Sequence, residues 1–485
     1  MDMPATQHAT QVAVIGGGPG GYAAAFLAAD LGLQVMLIDQ EPNPGGVCLY
    51  RGCIPSKALL HVAKILSEAR QAAAWGVTFG EPTIDVGKLM SWKESVVHKL
   101  TGGLGELCKR RRIVYLQGRA TLQDAHTLLV HTVQGSAEEV RFEHAILATG
   151  SRPAALPSLT LDSPRVLNST SALELRDIPR NLLVVGGGYI GLELGTVYAA
   201  LGTQVTVVEL TGGLLPGVDR DLVGILAKRL ERDFQAIWLN TRVVALREES
   251  EGIRVTLEGP AVPETEQVFE SVLVAVGRTP NSSGLGLQGT RVEVDPRGFV
   301  KVDAQRRTAE PSVYAIGDLT GEPMLAHKAT HEGRVAAEAI AGHRVAFEPR
   351  AIPAVVFTDP EIAWCGLTET QARREKRQVQ VARFPWGASG RATTLDRPDG
   401  VTKLLIEPET ERVLGVGIAG SGAGELIAEG VLAVEMAALA SDIKLSIHPH
   451  PTLSETIMEA AEVFFGQSVH LYRPPPPSGT KSQAS

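Results

Sequence analysis

The first patterned stretch of the chain is QVAVIGGGPGGYAAAFLAADLGLQVMLID, residues 11–39. Val12 to Ile15 make a short, unbroken apolar run, as a strand buried on both faces requires. A glycine cluster follows, then an alanine-rich segment of helical length, then a second apolar run ending at Asp39. The pattern predicts strand, turn, helix and strand, a parallel βαβ unit. It returns at residues 181–210, NLLVVGGGYIGLELGTVYAALGTQVTVVEL, where the second run ends at Glu209. Three further apolar runs lead into glycine turns: ILATGSRP (146–153), VLVAVGRTPN (272–281) and VYAIGDL (313–319).

From about residue 351 the texture changes. IPAVVFTDPEIAWCGLT and TKLLIEPETERVLGVGIAG read as strands, and GELIAEGVLAVEMAALA reads as a helix. Strands followed by helices favour an α+β domain. The predicted fold class is α/β: two Rossmann-like dinucleotide-binding domains plus a C-terminal α+β domain. The expected divisions are 1–155, 156–280, a central domain over 281–350, and 351–473. Residues 474–485, rich in proline and small polar residues, are expected to be a disordered tail.

Composition narrows the setting. A chain of 485 residues is too long for a single core, so roughly three or four domain-sized units are expected. Hydrophobic content of 44% with 21% charged residues is that of a soluble globular protein. The net charge of −8 argues against a nucleic-acid or anionic-membrane partner. MDMPATQHAT has neither a basic n-region nor an apolar h-region, so no export signal is expected. No apolar run approaches the roughly 20 residues that span a bilayer. With only four cysteines besides, a reducing, cytoplasmic setting is expected, where a close cysteine pair suits metal binding or catalysis.

Each βαβ unit carries the G-x-G-x-x-G spacing, on Gly16, Gly18 and Gly21 and again on Gly186, Gly188 and Gly191. Glycines there let a backbone approach a pyrophosphate, whose charge the following helix N-terminus favours. Asp39 and Glu209 stand where a carboxylate accepts ribose hydroxyls. Two complete fingerprints predict two bound dinucleotides.

Two of the four cysteines lie in GGVCLYRGCIPSK, residues 45–57. Zinc would need two more Cys or His ligands at recognisable spacing. Cys108 and Cys365 each stand alone and read as buried small hydrophobes. A structural staple is disfavoured by the compartment, which leaves a redox pair. Residues five apart do not share a face of a regular helix, so a Cys48–Cys53 bond needs an irregular turn, which Gly52 permits. Pro55 suits the first turn of the next helix, whose N-terminus would stabilise a nearby thiolate.

GGVCLYRGCIPSK, the two fingerprints, ATGSRP, VGRTPN, YAIGD and HPHPTLSE occur in one order. Together with MLAHKATHEGRVAAE (324–338) and FPWGASGRA (384–392), they resemble the pyridine nucleotide–disulfide oxidoreductases from about Gln11 to Tyr472. The resemblance implies FAD on the first domain, NAD on the second, a central domain completing the FAD site, and a C-terminal dimerisation domain. It implies FAD contacts from Gly16, Gly18, Gly21, Asp39, Lys57, Gly118, Gly150, Asp318, Ala326 and His327. For NAD it implies Gly186, Gly188, Gly191, Glu209, Val243, Gly277 and Arg278. Cys53 would sit against the flavin, Cys48 would exchange with a dithiol substrate, and Lys57 with Glu193 would lie beside the flavin ring. His450 and Glu455 would form an acid–base dyad reaching the cysteines of a second subunit, in a homodimer. The implied reaction is oxidation of protein-bound dihydrolipoamide by NAD+. The implied partners are lipoyl domains and the acyltransferase core of 2-oxo-acid dehydrogenase complexes.

One choice follows from charge. Glu209 would repel a 2′-phosphate, and the next stretch, LTGGLLPGVD, offers no Arg or Lys to receive one. NAD is expected over NADP. Tyr50, Tyr189 and Pro449 depart from the family's usual residues and bear on flavin potential and nicotinamide access.

Overall fold

The computed structural model describes residues 6–472. The chain divides into two compact units. The first runs to Gly213 and resumes over Phe234–Glu348, and the second takes Leu214–Asp233 and everything from Pro349 on. The expected tail over 474–485 lies outside the described residues.

In the first unit the two fingerprints become the predicted βαβ pieces. The strand Thr6–Ile15, the helix Pro19–Asp30 and the strand Val35–Asp39 follow one another. Val12 pairs in parallel with Val35 and Ile15 with Ile38, and all four are buried. The parallel sheet continues to Val114–Leu122 on one side and, through Ala137–Leu147, to Val313–Ala315 on the other.

The first strand is longer than its apolar run because the polar Thr6–Thr10 pair with Glu138–Phe142. The strand Val114–Leu122 serves two ladders and Ala137–Leu147 serves three. Residues 118–122 of the first and 137–141 of the second flank the strand Thr127–Thr132 in an antiparallel arrangement. Gly118 sits where these ladders meet. A Cβ there would lie 2.6 Å from the His131 carbonyl oxygen.

The second fingerprint builds a five-stranded parallel sheet. Its order is Ala236–Trp238, Gln204–Val208, Asn181–Val185, Ser271–Val274 and Val166–Leu167. A three-stranded antiparallel sheet, Arg242–Glu249, Gly252–Glu258 and Glu266–Phe269, shares a core with it through Leu183, Val255 and Val272.

The second unit is built on an antiparallel sheet in the order Ala354–Val356, Glu361–Gly366, Val413–Gly420, Val401–Ile406 and Gln380–Pro385. The helices Ala423–Glu435 and Glu455–Phe465 cover a core that includes Trp386, Phe384 and Ile418. The helix Arg220–Asp233 belongs to this unit although its sequence lies inside the second fingerprint region. Leu222, Val223, Leu226 and Leu230 are its buried residues. Just before it and at its start, Asp219 and Asp221 bind Lys403 Nζ at 2.8 and 2.7 Å. Glu369 completes the set at 2.8 Å. Lys403 is 1% exposed. A buried ammonium is tolerable only with such partners, and removing them would leave an uncompensated charge. Asp219 also takes the amide hydrogens of Glu369 and Thr370, and these bonds with Lys403 outweigh burial to hold its carboxyl down at about 2.

Candidate active site

A cavity of about 580 Å³ in the first unit collects half of the candidate residues. At one end stands the glycine turn between the strand Thr6–Ile15 and the helix Pro19–Asp30. Its three fingerprint glycines are needed for different reasons. Gly16 has φ +107°, and a Cβ on it would lie 2.3 Å from the Ala148 carbonyl oxygen. On Gly21 a Cβ would meet the Gly16 oxygen at 1.8 Å. These two are demanded by the fold. Gly18 has nothing within 4 Å of that position, yet it lines the cavity. Its missing side chain leaves room for something outside the chain, at the N-terminus of a 12-residue helix. Asp39 closes the turn by accepting the Gly17 amide at 2.5 Å and the Glu41 amide at 2.9 Å. Burial pushes its carboxyl up, and those turns of backbone N–H pull it back. A carboxylate has about four acceptor positions, so capacity remains for ribose hydroxyls.

The second fingerprint repeats the device. Gly186 and Gly191 are required by close backbone contacts, and Gly188 faces open space. Glu209 accepts from the Gly187 amide at 2.7 Å and from the Thr211 amide at 2.8 Å. Both turns fit a dinucleotide.

At the other end of the cavity lie Cys48 and Cys53. The structure places them on two helices rather than one, Gly46–Arg51 and Cys53–Gln71, with the break at Gly52. A Cβ on Gly52 would lie 2.8 Å from the Val47 carbonyl oxygen, so the break requires glycine. Pro55 falls in the first turn of the second helix. The redox segment is seated directly on the glycine turn: Gly45 donates to the Gly17 carbonyl at 2.7 Å, and a Cβ on Gly46 would meet Gly18 Cα at 2.5 Å.

The two sulfurs are thiols in this structure. Cys48 donates to Cys53, and this bond, helped by the Lys57 ammonium, draws the Cys53 thiol down to about 7 against burial and the Glu193 charge. The same bond and burial push Cys48 up. The pair is therefore asymmetric, with the thiolate on Cys53. Lys57 and Glu193 meet at 2.8 Å and line the cavity beside it.

Gly150, Asp318, Ala326 and Arg278 also line this cavity. His327 is exposed and does not line the cavity, Gly118 is a strand-packing glycine, and Val243 is a core residue of its strand. Gly277 has φ +123° beside Arg278.

Sequence reasoning passed over three residues that hold the site. Ser151 donates to Asp318 at 2.5 Å and accepts from Arg278 Nε at 2.7 Å. Glu332, fully buried, accepts the Gly317 amide at 2.6 Å and so braces the turn that carries Asp318. Arg51 lines the cavity between the cysteines. A serine in a turn, a glutamate in a helix and an arginine at a helix end carry no local signal. Only the long-range partners show their use.

His450 and Glu455 lie in the second unit. Glu455 starts the helix Glu455–Phe465 and accepts from His450 Nδ1 at 2.9 Å and from the Thr452 amide at 2.8 Å. Burial would raise the Glu455 carboxyl, but the amide and the imidazole outweigh it and hold it low. With Nδ1 donating, Nε2 is the acceptor. The imidazole is 75% exposed.

A dithiol with one acidified sulfur, set in a cavity floored by a dinucleotide turn, defines a thiol–disulfide oxidoreductase that works with nucleotide cofactors. Residues 10–333 match the family described as pyridine nucleotide-disulphide oxidoreductase, and residues 352–461 match its dimerisation domain. The chain belongs to that family. It is 49% identical to a dihydrolipoyl dehydrogenase of Haemophilus influenzae over 95% of this chain and 96% of the relative. A dihydrolipoyl dehydrogenase of Geobacillus stearothermophilus is 45% identical over 95% of this chain and 97% of the relative. The crystal structure of LpdA from Mycobacterium tuberculosis superposes with a TM-score of 0.87 at 28% identity, covering 93% of this chain and 99% of that one.

Proposed function

We propose that the chain is a dihydrolipoyl dehydrogenase: it reoxidises protein-bound dihydrolipoamide with NAD+, giving lipoamide, NADH and a proton. The carrying observation is the asymmetric Cys48–Cys53 pair in the same cavity as the first glycine turn. FAD would be held by Gly16, Gly18, Gly21 and Asp39 at one end and by Asp318, Gly150, Ala326 and Lys57 along the wall. NAD would be held by Gly186, Gly188, Gly191 and Glu209. What FAD supplies when bound is a path for the electron pair from the cysteines to NAD+.

The chain's own residues carry the thiol chemistry. One thiolate of dihydrolipoamide attacks Cys48 of the disulfide, the Cys48–Cys53 bond breaks, and Cys53 leaves as a thiolate. A sulfur that ionises near 7 is a good leaving group at neutral pH. The second substrate thiol loses its proton to His450 of a second copy and attacks the first lipoyl sulfur. Lipoamide departs as a disulfide, and Cys48 takes the proton. Glu455 orients the imidazole. This role makes the working form a homodimer, and lipoyl domains on the acyltransferase core of 2-oxo-acid dehydrogenase complexes are the fitting partners. No helix among the described residues is long and apolar enough to cross a membrane, and a cytoplasmic setting suits free thiols.

The direct test is NADH formation from dihydrolipoamide by the purified protein. A protein that bound flavin and turned over other disulfides but not this dithiol would sink the substrate assignment.

A thiolate beside oxidised flavin absorbs at long wavelength. In the two-electron-reduced protein this band is expected to be full above pH 7 and to fade as the pH falls through about 7, where Cys53 takes up its proton. A band that stayed constant down to pH 5 would contradict the assignment of Cys53 as the thiolate.

Cofactor choice is expected to follow Glu209. NAD should be used far better than NADP, and Glu209→Arg should narrow the ratio of kcat/KM values by about tenfold or more, the effect of one contact worth ~1.4 kcal/mol. Equal use of the two by the unaltered protein would refute the role of this carboxylate.

A further inference from the structure

The cations lining the cavity are not equally satisfied. Lys57 is bonded to Glu193, Arg152 to the Asn281 side chain at 3.0 Å, and Arg278 to Ser151. Arg51 lines the same cavity and pairs with Glu41, two residues beyond Asp39. Its Nε is buried and has no hydrogen-bond partner among the described residues. A buried donor left unpaired is costly and is normally matched by some acceptor.

Charge points to what that acceptor is. This stretch of the cavity carries two carboxylates, Asp39 and Glu41, close to the turn that fits a pyrophosphate. An anionic ligand placed there meets like charges, which the partial charge of one helix N-terminus offsets only in part. Arg51 supplies a full, permanent positive charge, and its planar fork matches phosphate oxygens. Its field already reaches Asp39, where it opposes the upward push of burial. We propose that Arg51 is a cofactor-binding residue, its guanidinium serving as counter-cation to the pyrophosphate of FAD in competition with its pairing to Glu41.

The proposal rests on the FAD reading above and extends it to a residue outside the fingerprint. Arg51 ends the short helix Gly46–Arg51 that also carries Cys48. One helix thus bears both a cofactor contact and the substrate-facing thiol.

The test is titration of full-length apoprotein with FAD, followed by flavin fluorescence at several salt concentrations. Arg51→Met is expected to raise the Kd by at least about tenfold and to flatten its salt dependence, as loss of a charge-assisted phosphate contact should. Arg51→Lys should recover part of the affinity. Glu41→Gln separates the two roles open to Arg51. If the guanidinium serves the cofactor, freeing it from Glu41 leaves FAD binding unchanged or tighter. If Arg51 only latches the helix through Glu41, Glu41→Gln weakens FAD as much as Arg51→Met does, and the proposal is overturned. An unchanged Kd in Arg51→Met overturns it too. Should Arg51→Met fail to fold, the comparison of Arg51→Lys with Glu41→Gln decides in the same way. An unaltered protein that took up no FAD would sink the flavin reading itself, before any variant is compared.

Discussion

Serine at Cys53, or at Cys48, is expected to reduce dihydrolipoamide oxidation to below about one-thousandth of its normal rate while leaving flavin bound, the scale seen when a covalent nucleophile is removed. Without both sulfurs no disulfide exists for the substrate to attack. The cofactor should stay because the glycine turn, Asp39 and Asp318 are untouched. The two variants should differ in colour. Cys48→Ser keeps the Cys53 thiolate and retains a hydroxyl to donate to it, so its long-wavelength band should persist without added reductant. Cys53→Ser should show none. Matched absorption spectra and turnover assays check this, and normal turnover in either variant would remove the redox-pair reading.

His450→Gln is expected to lower kcat by at least ~10², the usual contribution of a positioned acid–base group. Dihydrolipoamide thiols ionise near the free-thiol value of roughly 8.5 or higher, so their attack at neutral pH needs a proton acceptor. The His450 imidazole is exposed and has its Nδ1 tied to Glu455, which leaves Nε2 for that task. Glu455→Gln should cost less, because the base remains and only its orientation suffers. Flavin content and dimerisation should survive in both. NADH oxidation by a one-electron acceptor, which bypasses the disulfide, should be spared. Near-normal lipoamide turnover in His450→Gln would place the base elsewhere.

The chemistry was legible in the sequence wherever it depended on neighbours along the chain. The glycine turns, the acids Asp39 and Glu209, and the cysteine pair around Gly52 all act within a few tens of residues. Each apolar run long enough to be buried on both faces announced its strand. What escaped depended on distant partners. Thr6–Thr10 look like a polar lead-in and become strand only because Glu138–Phe142 offer an edge to pair with. Gly118 was expected at the cofactor, and its evident need is the close approach of His131. Ser151 and Glu332 matter through Asp318 and its turn, at separations no local pattern encodes. The helix Arg220–Asp233 has an ordinary amphipathic pattern, and nothing in it says which unit it will join.

That helix has a consequence for how the protein is made. Lys403, the cation that neutralises Asp219 and Asp221, follows Asp219 by 184 residues. A ribosome adding about 5–20 residues per second needs about 10–40 s to cover that distance. Until those later residues are made, the segment from Leu214 to Asp233 lacks Lys403 and the strands Glu361–Gly366 and Val413–Gly420 that pack against its helix. The second unit therefore cannot close during translation of its first part. It must wait for the last fifth of the chain, where Lys403 and the strand Val413–Gly420 lie.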